Sequence, residues 1–145
     1  MRGLIQRVSS ASVEVDREIV GAIDQGILLL LGVERDDDIE ALKKMLHKVL
    51  NYRIFSDADG KMNLSVSDIQ GGLLVVSQFT LAAETRKGLR PGFSTAAAPQ
   101  LAEELYEQFV ELARQQHSRV ATGRFGADMK VQLLNDGPVT FLLET

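Results

Sequence analysis

The sequence predicts an α/β domain, a mixed and mainly antiparallel β-sheet with two helices packed on it, forming one layered unit over residues 1–145. Three observations predict it. Apolar residues alternate at period two in ASVEV (11–15) and ADMKVQL (127–133). GILLLLGV (26–33) and the LLVV of GGLLVVSQFTL (71–81) are continuous apolar runs of strand length, as in strands covered on both faces. Behind Asp36 and again behind Pro99, the apolar period changes to three and four.

Each element follows from its residues. LIQRV (4–8) and ASVEV read as strands, Asp16-Arg17 as a hairpin tip, and EIVGAI (18–23) as the strand that pairs back. Asp36, Asp37 and Asp38 suit a helix N-terminus, and Ile39, Leu42, Met45 or Leu46, and Val49 give a surface helix of about 14 residues. YRIF (52–55) reads as a short strand and DADGK (57–61) as a turn. After the strand at 71–81 comes a polar loop, and then Pro99 opens a helix with Leu101, Leu105, Phe109 and Leu112 in one stripe. The strand at 127–133 and VTFLLE (139–144) flank Asn135-Asp136-Gly137-Pro138, which reads as the turn of a C-terminal hairpin.

Composition narrows the function classes. The 145 residues suffice for one core that buries roughly two-thirds of the unfolded surface. The longest apolar run, Ile27 to Leu31, is strand-sized, and the N-terminus turns polar too early for a secretory segment, so a cytoplasmic location is expected. A net charge of −4 argues against a general nucleic-acid coat protein while leaving room for one basic patch. No membrane or DNA partner is expected.

With no cysteine and two histidines, a structural zinc site is excluded and no metal is expected. His47 lies beside the apolar stripe of its helix and His117 follows the second helix; neither has a motif partner, so both read as structural or solvent-facing. DADGKMNLSVSD (57–68) begins like a calcium loop but has Met62 where the turn needs glycine. GRFG (123–126) matches an RNA-clamping G-x-x-G loop, yet it runs into an alternating strand instead of joining two helices.

SQFTL (77–81) is different, because Ser77, Gln78 and Thr80 end a strand whose preceding residues are wholly apolar. Such a place is either a strand emerging into solvent or a ligand site beside a loop. The loop TRKGLRPGF (85–93) then sets Arg86, Lys87 and Arg90 within a few residues of it, as a solvated loop or as a phosphate contact beside a pocket.

LIQRV, NYRIFSD (51–57), KMNLSV (61–66), VSQFTL (76–81), KGLRPGF (87–93) and GRFGADMKVQLLNDGPVTF (123–141) together resemble D-aminoacyl-tRNA deacylase, formerly called D-tyrosyl-tRNA deacylase, from end to end. Gly92 departs from the serine common in the family's R-P-S-F stretch, which bears on the loop more than on the family. The resemblance implies a homodimer without a cofactor that hydrolyses the ester between a D-amino acid and the 3′-terminal adenosine of tRNA, a proofreading step of translation. It also implies that the Gly137-Pro138 bond is cis and that one subunit presents this motif into the active site of the other. A wall of backbone carbonyl there would collide with an L side chain and accept the hydrogen of a D-residue. Glycine has hydrogen on both sides and would pass, so glycyl-tRNA is an expected substrate.

The resemblance places catalysis at Ser77, Gln78, Phe79 and Thr80. A threonine hydroxyl is a weak nucleophile without a base, so water attack is favoured, with backbone N–H groups near Phe79 and Thr80 as the oxyanion hole. Ser77 and Gln78 would position the substrate, and the 2′-hydroxyl of the adenosine would orient or activate the water. Arg7 is implied to brace the Gly-Pro carbonyls. Phe125 and Met129 are candidates for the adenine pocket, Met129 being equally readable as core. Arg86, Lys87 and Arg90 would meet acceptor-stem phosphates. Two other readings stay open: a non-catalytic tRNA- or RNA-binding module, and an amidohydrolase of small D-amino-acid derivatives.

Overall fold

The computed structural model describes all 145 residues. Strand β1 (Arg2–Val15) organises the sheet. Its first half pairs antiparallel with β3 (Gly26–Gly32) and its second half with β2 (Glu18–Ile23), while β8 (Lys130–Glu144) runs antiparallel along the opposite edge. Beyond β3, β6 (Gly72–Ser77) and β7 (Val120–Thr122) join in parallel. Asp16 and Arg17 take φ of 50° and 67°, the left-handed pair that a two-residue hairpin turn requires.

The sheet curls until β2 meets β7. Gly21 makes this possible, because a Cβ there would stand 2.2 Å from the Thr122 carbonyl oxygen. One face carries α1 (Ile39–Asn51) and α3 (Pro99–Gln116); there Ile5, Leu29 and Leu73 pack against Met45 of α1 and Phe109 of α3. Inside the curl lies a second cluster, including Val8, Val13, Leu28, Leu74 and Val76. Strands β3 and β6 are therefore covered on both faces, which explains their unbroken apolar runs.

Several elements differ from the sequence expectation. The two strands expected at 4–8 and 11–15 are one, because buried positions step from Ile5 to Val8 to Ala11 where the pairing register shifts, and that slip breaks the period of two. Helix α1 starts later than Asp36: Asp38 is its cap, its side chain accepting from Ala41 N at 2.9 Å. Asp37 instead accepts from the Met1 ammonium at 2.6 Å and from Glu34 N at 2.7 Å.

The strand expected at 52–55 is reduced to β4 (Phe55–Ser56), paired with β5 (Met62–Leu64). The turn between them is held by the Asp57 carboxylate, which is kept below its ordinary pKa chiefly by accepting from Asn63 Nδ2, then from Lys61 N and Asp59 N. A short helix, α2 (Val66–Ile69), follows with a reciprocal cap between Ser65 and Asp68. The long strand expected over 71–81 ends at Ser77 and tightens into a 3-10 turn at Phe79–Ala82.

The largest correction concerns the C-terminus, which is not a hairpin. Residues 130–144 form one strand that stays on β1 throughout, with Gln6 opposite Thr140 and Val8 opposite Asn135. Asp136, Gly137, Pro138 and Val139 therefore bulge out opposite the single residue Arg7. Proline has no N–H to give a ladder, so the insertion leaves the sheet while the strand resumes beyond it.

Candidate functional site

The end of β6 forms one wall of a cleft of about 460 Å³. Ser77 closes the strand, and Gln78 N donates to the Leu31 carbonyl at 2.8 Å, fixing the point at which the chain leaves the sheet. Phe79 and Thr80 then lead the 3-10 turn, where N–H groups lack acceptors within the turn itself. Phe125 and Met129 line the facing wall, and Ala102 of α3 contributes as well. Met129 lies in the loop before β8, lining the cleft and packing against the second apolar cluster at once.

Ser77, Gln78, Phe79, Phe125 and Met129 thus share one cavity; Thr80 does not line it. The Thr80 hydroxyl accepts from the Gln78 side-chain amide. Both histidines are elsewhere: His117 is buried with Nε2 2.6 Å from the Gly71 carbonyl oxygen, and His47 faces Asn51 on the exposed side of α1. No group of three or more His, Asp or Glu is placed to hold a metal.

The wall behind Phe125 is Tyr106, with ring centroids 5.7 Å apart and the Tyr106 hydroxyl donating to the Val75 carbonyl at 3.1 Å. Burial pushes that hydroxyl up to about 12 from an ordinary value of 10.0. Between those two values the folded chain keeps a proton that the unfolded chain has lost, so stability falls as pH rises through the interval. Denaturation midpoints measured from pH 8 to 12 are expected to drop above about pH 10, and to drop less in Tyr106→Phe.

Gly137 and Pro138 are exposed and lie outside the cleft of their own chain. Their bond is cis, and Gly137 has φ of 147°. Arg7 holds the base of the bulge: Nε donates to the Asp136 carbonyl at 2.8 Å and Nη1 to the Ile54 carbonyl at 2.7 Å. On the other shoulder, Asn135 Oδ1 accepts from Val139 N at 2.7 Å and its Nδ2 donates to Thr140 Oγ1 at 2.9 Å. Asn135 was missed as a positioning residue because it reads equally well as an ordinary turn former.

In the basic loop, Glu84 and Gly92 exchange backbone hydrogen bonds of 2.8 and 3.0 Å. Arg86 folds back onto Glu84 in a forked pair, Nε to Oε1 at 2.9 Å and Nη2 to Oε2 at 2.6 Å, which lowers the Glu84 carboxyl to about 2. Its charge is committed inside the loop. Lys87 and Arg90 are exposed and make no ion pair.

The family model described as D-Tyr-tRNA(Tyr) deacylase matches residues 4–144. The chain belongs to the D-Tyr-tRNA(Tyr) deacylase family. Among curated relatives, proteins named D-aminoacyl-tRNA deacylase from Stutzerimonas stutzeri and Pseudomonas fluorescens are 66% and 65% identical, each with both chains covered in full. A solved structure titled c-Myc DNA Unwinding Element Binding Protein superposes with a TM-score of 0.96 at 42% identity, covering 100% of this chain and 99% of that one. Membership in the deacylase family thus extends over the segments that build both the cleft and the bulge.

Proposed function

We propose that the protein hydrolyses the ester of D-aminoacyl-tRNA, releasing D-amino acid and tRNA. The observation that carries this is the cleft, in which the polar Ser77 and Gln78 at the strand end share one cavity with the flat and polarisable side chains Phe125 and Met129. The aromatic and thioether wall suits adenine, and the polar wall suits the ester and amino group. Water attacks the carbonyl carbon, the N–H groups of Phe79 and Thr80 take the developing oxyanion, and the ester C–O bond breaks with a proton passing to the 3′-oxygen. The 2′-hydroxyl of the adenosine orients the water. No cofactor takes part.

The filter against L-residues is the Gly137-Pro138 bulge of a second copy. Two features support an arrangement across a homodimer: the bulge is exposed and stands outside its own cleft, and β8 pairs with β1 alone, leaving a free edge that carries exposed Leu134 and Leu142. Arg7 and Asn135 keep the bulge in place. Lys87 and Arg90 meet tRNA phosphates, whereas Arg86 serves the loop through Glu84. The substrate sets the cytoplasm as the place of action, and no helix is long and apolar enough to cross a membrane.

The test is loss of the ester from D-tyrosyl-, L-tyrosyl- and glycyl-tRNA, with and without EDTA. D-tyrosyl- and glycyl-tRNA are expected to be cleaved, L-tyrosyl-tRNA to survive, and EDTA to change nothing. Survival of both tyrosyl esters while tRNA is bound would leave a binding module. Resistance of glycyl-tRNA alone would sink the filter, since a wall that senses only the L-side substituent has no means of rejecting glycine.

A further inference from the structure

The loop between the 3-10 turn and α3 holds an unexplained side chain: Leu89 is 103% exposed, more than any other large apolar residue of the chain. It stands at the tip of a braced arm. The backbone bridge between Glu84 and Gly92 closes the base, and the Arg86 fork onto Glu84 stiffens one side. Thr95 Oγ1 donates to the Ala82 carbonyl at 2.6 Å below the base. Gly88, with φ of 70°, turns the chain just before the tip. The arm joins the cleft directly, because Phe93 at its foot packs on Phe79 of the cleft wall with ring centroids 5.3 Å apart.

A fully exposed leucine does nothing for folding, since it buries no surface in the monomer. Flanked by the unpaired cations Lys87 and Arg90, it presents a small apolar surface between two positive charges. That combination complements a single-stranded nucleic acid, whose base faces are apolar and whose phosphates are anionic. The position agrees: Phe93 at the foot of the arm packs on Phe79 of the cleft wall, so an unpaired 3′ end whose terminal adenosine occupies the cleft has the arm beside it. Resting on the deacylase reading of the cleft, we propose that Leu89 packs on a base of the unpaired 3′ end of tRNA, just before the terminal adenosine, while Lys87 and Arg90 hold the adjoining phosphates.

The test compares wild type, Leu89→Ser and the double variant Lys87→Ala/Arg90→Ala in two measurements. The first is the affinity for uncharged tRNA over a range of salt concentrations. Leu89→Ser is expected to weaken binding about tenfold with an unchanged salt slope, whereas the double variant lowers the slope by about two phosphate contacts. The second is the ratio of kcat/KM on D-tyrosyl-tRNA to that on 3′-O-(D-tyrosyl)adenosine, which is expected to fall about tenfold in Leu89→Ser. Wild-type affinity and ratio in Leu89→Ser would overturn the proposal. So would conversion of Leu89→Ser to a monomer on gel filtration, which would make the arm a contact between copies. If wild type cleaves neither ester but its tRNA affinity still depends on Leu89, the deacylase reading fails and the contact stands.

Discussion

Replacing Gly137 with alanine is expected to lower kcat/KM on D-tyrosyl-tRNA about 100-fold or more while leaving the protein folded. At φ of 147° an L side chain is strained whatever the space around it, and here there is none: the added Cβ would lie 2.8 Å from Val139 N and 2.7 Å from Val139 Cγ2. A backbone nitrogen cannot rotate aside, so the bulge must shift. The strain costs on the order of 1–3 kcal/mol, less than the 5–15 kcal/mol of a typical domain, so the sheet survives. A displacement of about 1 Å in a group that positions substrate suffices for a 10²-fold loss. Thermal denaturation alongside the kinetics separates the two effects; wild-type activity in a folded Gly137→Ala would remove the bulge from the site.

The same variant tests whether the bulge acts across a dimer. Gly137→Ala keeps an intact cleft beside a damaged bulge, and Gln78→Ala does the reverse. In a mixed dimer the intact cleft of one chain meets the intact bulge of the other, so mixing two poorly active proteins should restore activity at one of the two sites. A bulge serving the cleft of its own chain would give no recovery. Arg7→Lys provides a graded comparison, because one ammonium cannot span the Asp136 and Ile54 carbonyls that the guanidinium bridges.

The contrast between bulge and hairpin shows which parts of the structure were readable from sequence. Asn135-Asp136-Gly137-Pro138 is built of turn-forming residues, and only the ladder to β1, more than 120 residues away in the chain, makes it a bulge. Strands β3 and β6 were legible because burial on both faces leaves a composition that no loop has. The three-residue β7 carries no such excess and is held by parallel pairing to β6. Helix α2 did leave a signal, the Ser65-x-x-Asp68 cap, too short to stand out without the apolar run that normally follows.

At the site, Ser77 and Gln78 were visible as polar residues following an apolar strand, while their meeting with Phe125 and Met129 depends on how the loop after β7 returns to β6. Ala102 had no signal at all, being one small residue on a helix face. Arg86 read as a free cation because its charge is evident in the sequence, and the backbone bridge that brings Glu84 under it is not.

The second large effect separates a nucleophilic threonine from substrate-assisted water. Thr80→Ala is expected to retain activity within about tenfold of wild type, whereas D-tyrosyl-tRNA ending in 2′-deoxyadenosine is expected to react about 100-fold or more slowly, the low end of what a positioned acid–base group supplies. The hydroxyl of Thr80 accepts a hydrogen bond from the Gln78 amide, which draws electron density away from the oxygen instead of removing its proton. Attack by a threonine requires a base within hydrogen-bond reach. His117 is engaged with Gly71 and His47 lies on α1, and no carboxylate bonds to this hydroxyl. Alanine keeps the backbone N–H at position 80, so the proposed oxyanion contact would survive the substitution. The 2′-hydroxyl, in contrast, sits on the carbon adjacent to the one that bears the scissile ester oxygen in every 3′-aminoacyl-tRNA, within reach of the attacking water without help from the protein. A Thr80→Ala protein that binds D-tyrosyl-tRNA normally and fails to cleave it would return the nucleophile to Thr80, and full activity on the deoxy substrate would take the water's orientation away from the tRNA.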